Sequence, residues 1–343
     1  MKILFVGLGG AGQRHLRILS QILKVDAQLL AYRTRALPHI ITKSFEIDNS
    51  QTLEEKYKIK SFFDLDLAIN EKPDIAIISN PTSNHASIAM KLAQANCNLF
   101  VEKPLSHNLE NISSLLSISK QKSLITYVGY QMRFHPCIRF MHEKLKSGAL
   151  GKIISANIQV FSYLPLWHPY EDYKKLYAAK EDLGGGVVLT ESHELDYAYW
   201  FFGMPQKIFA SGGTYGDLDI DSEDTASIIL QYKSPTPFDV SIQMSFAQNP
   251  PSRSCHVNGT KGSLVWDGSN KVKYFDSEKN CWSEEVFDGF ERDQMFIDQL
   301  KHFLMAVEKN QKPLIDFQEG VASLSLALLI KESIKTGKVV VVR

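Results

Sequence analysis

Apolar residues in the first third of the chain occur in short continuous runs, and longer helix-like segments separate these runs. A run that is apolar at consecutive positions is typical of a strand whose two faces are both buried, as in a parallel sheet covered by helices. The pattern therefore predicts a doubly wound α/β sheet in this region. The expected strands are KILFVG, AQLLAY, DIAIISN, NLFVEKP and LITYVGY.

The pattern changes in the second part of the chain, where strand-like stretches follow one another with short polar turns between them. Such a succession predicts a mostly antiparallel sheet. A helix is expected over 187–202, after the first of these strands, and two more over 292–308 and 317–336. We therefore expect two domains: a Rossmann unit over 1–125, and an α+β unit with a large open sheet over 126–343 that binds substrate and mediates oligomerisation.

The first strand is followed at once by GLGGAG, in which Gly7, Gly9 and Gly12 have the G-x-G-x-x-G spacing. Glycines here allow a tight turn and let main-chain N–H groups at the start of the next helix approach a pyrophosphate. A tight strand-to-helix turn without a ligand is the alternative, but the position between strand and helix favours a dinucleotide. The residues expected to line it are Gly7, Gly9, Gly10, Ala11, Gly12 and Gln13.

The end of the second expected strand bears on the choice between NAD and NADP. An NAD site usually offers a carboxylate there to the ribose 2′-hydroxyl. This chain has no carboxylate at that point and carries Arg33, Thr34 and Arg35, two cations and a hydroxyl that suit a 2′-phosphate. The sequence therefore favours NADP over NAD, unless both arginines are simply solvated loop residues.

The charge balance and the cysteines narrow the class of protein. Lys and Arg total 38, as do Asp and Glu, so the formal net charge is +0, and neither nucleic acid nor a membrane is an expected partner. The four cysteines are widely spaced without a C-x-x-C pair, which indicates neither a zinc site nor a disulfide framework. The N-terminal apolar run lacks the features of a signal peptide. We expect a cytoplasmic protein.

Lys103 follows another expected strand within VEKPL, and ligands collect at the carboxyl ends of strands in such sheets. A lone lysine is more often a surface residue. Five motifs that follow one another along the chain favour a functional role for Lys103 over a surface position. They are GLGGAG, ISNPTSNHASIA, VEKPL, GYQMRFHP and GGGVVLTESHELD. Together they resemble the glucose-fructose oxidoreductase, inositol dehydrogenase and rhizopine-catabolism superfamily (Gfo/Idh/MocA).

The resemblance implies an enzyme that transfers a hydride between NAD(P) and a carbohydrate carbon, as a homodimer or homotetramer. Lys103 would lie between the nicotinamide and the substrate, and His193 matches the catalytic histidine of the family. Glu102 and Gln131 would lie near the nicotinamide ribose. The loop residues that would line the cofactor are Asn80, Pro81, Thr82 and His85.

The placement of His193 follows from reading 187–202 as one helix, in which residues three and four apart share a face. His193 then stands at the edge of the buried face, where a base is partly desolvated and still within reach of a ligand. Glu191 and Glu194 are expected to point away from the histidine. A histidine that only hydrogen-bonds at the domain interface is the alternative.

The chain departs from the family pattern at the residue expected to orient His193. Family members often carry Asp four residues before this histidine, where this chain has Leu189, with Thr190 next to it. Asp196 is then the only acid of this helix able to orient the imidazole. We therefore expect a catalytic set of Lys103, His193, Asp196 and Thr190, in which the identity of the third member stays open.

Two clusters, besides Lys103 and His193, are candidate substrate-binding sites. Tyr130 and Arg133 follow a strand end, and an aromatic segment, WHPYEDYKKLY, precedes the glycine run. Aromatic rings offer stacking surfaces to a sugar or base, and Arg suits a carboxylate or phosphate, although packing at the domain interface is the alternative. The segment resembles that of family members of surface-polysaccharide pathways, which favours an activated or acidic sugar. Its candidates are Trp167, His168, Tyr170 and Tyr173.

Two other functions stay open. The missing Asp would fit a dinucleotide-binding sensor without turnover, although both Lys103 and His193 are retained. A glycoside hydrolase that uses NAD for transient oxidation would carry nearly the same motifs. No metal is expected, because the spacing of the histidines fits no ligand motif; those considered are His85, His135, His168 and His193.

Overall fold

The computed structural model describes residues 1–23, 27–34, 39–233 and 236–342. The elements of the first part are β1 (Lys2–Val6), α1 (Gly10–Leu23), β2 (Gln28–Tyr32), β3 (Ile40–Ile41), β4 (Ile47–Asp48), α2 (Leu53–Tyr57), β5 (Lys60–Phe62), α3 (Leu65–Asn70), β6 (Ile75–Ile78), α4 (His85–Gln94), β7 (Asn98–Val101), α5 (Ile112–Gln121) and β8 (Thr126–Val128).

The second part begins with a helix and contains the longer strands. Its elements are α6 (Pro136–Lys146), β9 (Ile153–Tyr163), α7 (Val187–Thr190), α8 (His193–Phe202), β10 (Lys207–Gly213), β11 (Thr225–Tyr232), β12 (Phe238–Ser245), β13 (Ala247–Gly259), β14 (Gly262–Trp266), β15 (Lys271–Asp276), β16 (Cys281–Val286), α9 (Arg292–Lys309), α10 (Phe317–Thr336) and β17 (Val340–Val341).

The first sheet has six parallel strands in the order β5-β2-β1-β6-β7-β8. This confirms the expected doubly wound sheet. All four residues of β6 are buried, as continuous apolar runs require when helices cover both faces. The strand order changes direction between β1 and β6, the place where such sheets bind ligands. Because β8 is part of this sheet, the first unit extends past the expected boundary at residue 125.

The second sheet has nine strands in the order β16-β15-β14-β13-β9-β12-β11-β10-β17. Only the β9–β12 pair among these is parallel, so the expected large, mostly antiparallel sheet is confirmed. Burial alternates along β11, which leaves one face open. Phe209 and Ile229 are register neighbours on that open face and are 44% and 41% exposed. Self-association through this face stays a prediction.

The expected helix over 187–202 is wrong in its continuity, because the chain breaks it into α7 and α8. Glu191 has ψ 33° and Ser192 has ψ 1°, whereas a helical residue has ψ near −42°. The break changes the direction of every side chain around it. The two C-terminal helices, α9 and α10, lie where the sequence predicts them.

The two C-terminal helices join the halves of the molecule. Phe296 and Phe303 of α9, with Phe317 at the start of α10, belong to the same apolar core as the first sheet. Further along α10, Leu324 and Ile330 belong to the core of the second sheet. One helix therefore contributes to both cores. Of the helices in the described ranges, α10 included, none is long and apolar enough to cross a lipid bilayer.

We expect Gly320→Ala to lower the free energy of unfolding by about 1–2 kcal/mol, because overpacking outweighs the better helix propensity of alanine. A Cβ at Gly320 would lie 2.4 Å from Cγ2 of Val128, which is buried in β8. Urea unfolding measures the change. Ser325→Ala on the same helix is the control and should stay within about 0.5 kcal/mol of the parent. Equal stability of all three proteins would contradict this account of the contact.

Candidate active site

Four adjacent strands of the first sheet deliver residues to the same edge. Gly7 follows β1, Ser79 follows β6, Glu102 follows β7 and Gly129 follows β8. The carboxyl ends of parallel strands lie together, so the loops that leave them converge. With segments of the second sheet they border a cleft of about 1550 Å³.

The glycine loop forms the start of this cleft. Gly7 has φ +84°, and a Cβ there would lie 3.0 Å from the main-chain nitrogen of Asn80. A Cβ on Gly12 would lie 2.2 Å from the carbonyl oxygen of Gly7. The loop therefore fits only without side chains at these positions, and it leaves the first N–H groups of α1 open towards the cleft, as binding of a pyrophosphate requires.

The predicted cofactor residues after β6 also border the cleft, and His85 holds their loop in place. Asn80, Pro81, Thr82 and His85 all line the cleft. The buried His85 ring has Nδ1 at 2.9 Å from the carbonyl oxygen of Pro104 and Nε2 at 2.9 Å from that of Asn80. His85 thus ties the loop after β6 to the loop that carries Lys103.

Gln13 has a structural contact beneath the glycine loop. Its amide nitrogen donates to the carbonyl oxygens of Leu8 and His39, and its Oε1 accepts from the main-chain nitrogen of Ile41. The side chain is buried. It therefore braces the loop against the segment before β3, and direct contact of Gln13 with a cofactor stays a prediction.

The arginine expected to favour NADP is paired with a carboxylate that the sequence did not indicate. Nη1 of Arg33 lies 2.5 Å from Oε1 of Glu54, which also accepts from Ser61. Burial opposes ionisation of Glu54, but the hydrogen bond from Ser61 and the charge of Arg33 together lower its pKa. Arg33 and Thr34 line the cleft. Arg35 lies outside the described residues.

A buried contact with a histidine supports the residue before Lys103. Oε1 of Glu102 lies 2.5 Å from Nε2 of His15 on α1, a partner that sequence reasoning missed. Burial alone would raise the pKa of Glu102, but the hydrogen bond and charge of His15 outweigh it and lower the pKa. Nζ of Lys103 donates to the main-chain oxygen of Thr190. Lys103 therefore bridges the first sheet and the end of α7.

His193 faces the cleft from the start of α8, and its Nε2 lies 2.9 Å from the amide nitrogen of Gln131. The ring of Tyr130 stands edge-on to the imidazole at a centroid distance of 5.9 Å. Burial, helped by the positive charges of Lys103 and Arg253, lowers the pKa of His193 well below its ordinary value. The imidazole is therefore neutral at neutral pH, the state that accepts a proton.

Positive side chains outnumber negative ones along the cleft. Its described lining includes seven Lys and Arg residues against four Asp and Glu residues, namely Arg14, Arg33, Lys91, Lys103, Lys175, Arg253 and Arg292 against Glu102, Glu171, Glu191 and Asp267. This excess suits an anionic ligand such as a dinucleotide. Among the described residues no three His, Cys, Asp or Glu side chains come together as a metal site would require.

Comparison with known proteins identifies the family. Two models match successive parts of the chain: the oxidoreductase family with an NAD-binding Rossmann fold matches residues 1–130, and the GFO/IDH/MocA C-terminal domain matches residues 138–265. The chain belongs to the GFO/IDH/MocA oxidoreductase family. The expected resemblance and the expectation of an enzyme are both confirmed.

Individual members of the family cover nearly the whole chain. Myo-inositol 2-dehydrogenase of Thermotoga maritima is 25% identical over 98% of this chain and 96% of its own length. A levoglucosan dehydrogenase in complex with NADH and L-sorbose superposes with a TM-score of 0.84 at 14% identity, covering 100% of this chain and 99% of its own. The WlbA dehydrogenase of Bordetella pertussis, in complex with NADH and UDP-GlcNAcA, gives 0.80 at 20% identity with the same coverage. The two structures show the same fold.

In this oxidoreductase Asp196 does not orient His193, contrary to expectation. Arg133 grips Asp196 with two hydrogen bonds, Nε to Oδ2 at 2.9 Å and Nη2 to Oδ1 at 2.8 Å, and Ser323 donates to Oδ1 at 2.8 Å. Nη1 of Arg133 donates to Glu319. Both carboxylate oxygens of Asp196 thus accept from Arg133, and none of the described hydrogen bonds joins Asp196 to His193. The Arg133 guanidinium is buried outside the described cleft lining.

Thr190 contributes its main chain to the site. Its carbonyl oxygen accepts from Lys103, while its hydroxyl is buried and has no hydrogen-bond partner among the described residues. The expected catalytic role of the Thr190 side chain stays a prediction.

Glu191 and Arg253 are cleft residues that sequence reasoning missed. The break between α7 and α8 turns Glu191 into the cleft, although one continuous helix would have pointed it away from His193. Nη2 of Arg253 on β13 lies 3.2 Å from Oε2 of Glu191, and its Nε lies 3.0 Å from Oε1 of Glu194. Burial raises the pKa of Glu194 to about 7. No local signal in the sequence connects β13 with α8.

The aromatic segment lies over the glycine loop. Trp167, His168 and Tyr170 line the cleft. The hydroxyl oxygen of Tyr170 is 2.6 Å from where a Cβ on Gly10 would stand, and the His168 ring stacks on the Tyr170 ring at 5.2 Å. Residues expected to bind substrate thus lie at the N-terminus of α1, on the cofactor side of the cleft.

Tyr130 and Tyr173 occupy other places than expected. Tyr130 is buried behind His193 and is absent from the described cleft lining. The hydroxyl of Tyr173 accepts from the main-chain nitrogen of Asp219 at 3.3 Å, outside the described lining. Direct substrate contact of either tyrosine is not supported by this arrangement.

We expect Asp196→Ala to lower the free energy of unfolding by about 3–5 kcal/mol, because it leaves the buried charge of Arg133 without its main partner. Asp219→Ala removes an exposed partner of Lys174 and should cost at most about 1 kcal/mol. Urea unfolding of both variants measures the difference. Parental stability of Asp196→Ala would show that the pair does not hold the fold.

Proposed function

We propose that the enzyme transfers a hydride between a nicotinamide dinucleotide and a hydroxyl-bearing carbon of a carbohydrate. The observation that carries the proposal is the convergence of Lys103, Gln131 and His193 on one cleft that begins at the glycine loop. Bound NAD(P) would supply the redox chemistry. Its own residues would bind the sugar and move the proton.

His193 is the proton acceptor in this proposal. Its neutral imidazole takes the proton of the reacting hydroxyl as the hydride leaves the same carbon. Lys103, whose Nζ lies at the oxygen of Thr190, stabilises the developing alkoxide with its positive charge. Reduction of a keto-sugar runs the same steps in reverse, with His193 as the proton donor.

The substrate class we propose is an activated or acidic sugar. Arg253 and Arg292 add positive charge to the cleft beyond the glycine loop, and guanidinium groups match the planar geometry of carboxylates and phosphates. Glu191 and Glu194 compensate part of this charge through their contacts with Arg253. The bound UDP-GlcNAcA of the WlbA structure is an acidic sugar nucleotide, which supports the same class.

We expect Lys103→Met and His193→Asn each to lower turnover by about 10²–10⁴-fold, since each removes a group that acts on the reacting oxygen. The assay follows the absorbance of reduced nicotinamide with polyols, sugar acids and nucleotide sugars as substrates. Lys152→Met, which removes an exposed lysine just before β9, is the charge control and should keep the parental rate.

Two outcomes of this assay would indicate a different function. Dinucleotide binding without any redox change across the whole panel would indicate a sensor. Release of an aglycone from glycosides without net change in the nicotinamide would indicate a hydrolase that oxidises only transiently.

We infer that Glu54 reduces the preference for NADP that the sequence predicted. Its carboxylate neutralises Arg33 and would repel a 2′-phosphate placed against that guanidinium. Fluorescence titration with NADH and NADPH should give NADH an affinity at least equal to that of NADPH. Glu54→Gln should improve binding of NADPH relative to NADH by about 3–30-fold, equivalent to about 0.6–2 kcal/mol. An unchanged ratio of the two affinities would show that Glu54 does not influence the choice of cofactor.

A further inference from the structure

The imidazole of His193 has no carboxylate to orient it among its described contacts. Asp196 is bound by Arg133 and Ser323. Leu189 has an apolar side chain, and the hydroxyl of Thr190 makes no hydrogen bond among the described residues. A base that must present one particular nitrogen needs a partner that fixes its tautomer.

Gln131 is the side chain that meets the imidazole. Its amide nitrogen lies 2.9 Å from Nε2 of His193. With its amide nitrogen at Nε2, Gln131 can only donate there. In this orientation Nε2 accepts with its lone pair, and a neutral ring carries its hydrogen on Nδ1. Nδ1 of His193 and Oε1 of Gln131 are both buried without a hydrogen-bond partner among the described residues. Of the two ring nitrogens, Nε2 is therefore the one with a hydrogen-bond partner among the described residues.

The segment that carries Gln131 is firmly held. A single turn of 3₁₀ helix, Gln131–Phe134, follows β8 and is closed by the main-chain bond from His135 to Met132. Arg133 of the same turn is locked onto Asp196, one helical turn beyond His193 on α8. Gln131 itself is only 8% exposed. The main-chain segments that carry Gln131 and His193 are thus fixed relative to each other.

We propose that Gln131 is the positioning residue of His193, and that its amide holds the lone pair on Nε2 until a substrate hydroxyl replaces it. The inference rests on the proposed function for its chemical purpose. Once Nε2 has taken the proton of the hydroxyl, the amide can turn and accept that N–H with Oε1. A carboxylate can only accept, so at Nε2 it could meet an N–H but not the lone pair, whereas an amide can meet either of them.

The charged and titratable groups around His193 support this role. Lys103 comes from the loop after β7, Arg253 from β13 and Arg292 from α9, while Tyr130 faces the ring from the β8 side. Glu191 and Glu194 lie on either side of the histidine along the chain, and both are paired with Arg253. Burial raises the pKa of Glu194 to about 7. The cations oppose protonation of the imidazole, and uncharged Gln131 does not counteract them. A carboxylate in its place would favour the imidazolium.

The test measures His193 directly, without a substrate. The probe is the full-length protein with ¹⁵N-labelled histidine, titrated by NMR, with His193→Asn to assign the resonance. The parent should show the Nδ1–H tautomer and a neutral ring throughout the neutral range. Gln131→Glu should raise the pH of half-protonation by about 1–2 units. Gln131→Met, which removes the donor at similar volume, should shift the tautomer towards Nε2–H.

Gln121→Glu is the matched control, because it places the same charge on an exposed residue of α5 and should leave the titration unchanged. A parent ring with its hydrogen on Nε2, or a titration unmoved in Gln131→Glu, would overturn the inference. If Gln131→Glu does not fold, the tautomer in Gln131→Met decides. Failure of the proposed function would instead appear as absent turnover with the NMR pattern intact.

Discussion

A buried ion pair between Arg133 and Asp196 sets the geometry of the active site. Arg133 stands two residues after Gln131, and Asp196 three residues after His193, so a two-point grip between guanidinium and carboxylate fixes both distance and angle of the two segments. Glu319 and Ser323 of α10 complete the contacts. Because both charges are buried from water, loss of either partner would leave the other charge uncompensated. The position of the His193 imidazole relative to Gln131 therefore depends on this ion pair.

The electrostatics of the cleft combine two requirements that oppose each other at first sight. A dinucleotide and the acidic sugar that we propose as substrate call for positive charge, whereas the proposed proton acceptor must stay uncharged. The same cations satisfy both, since Lys103, Arg253 and Arg292 attract anions and also disfavour protonation of His193. Glu102 keeps its negative charge through His15. Its charge offsets part of the positive charge beside Lys103.

The sequence predicted those parts of the site that follow directly from local order. A glycine loop after an apolar strand and a lysine at the end of another strand fall at the sheet edge in any doubly wound fold. Asp196 was misassigned because helical spacing compares residues within one helix, whereas its partner Arg133 comes from another segment. The break at Glu191 contains neither glycine nor proline, so the sequence does not predict it. Arg253 and Glu54 reach their partners through tertiary packing, which spacing along the chain does not encode.

The sharing of α10 between the two cores limits how the protein can be divided. The first 130 residues look like a self-contained nucleotide-binding module, yet their apolar core is finished by Phe296, Phe303 and Phe317. A fragment cut after β8 would expose that surface to water. The domain boundary that the order of motifs suggests is therefore not a boundary between independently folding units. A chimaera that takes its second half from a relative also takes that relative's α9 and α10, so its first half has to fit these two helices.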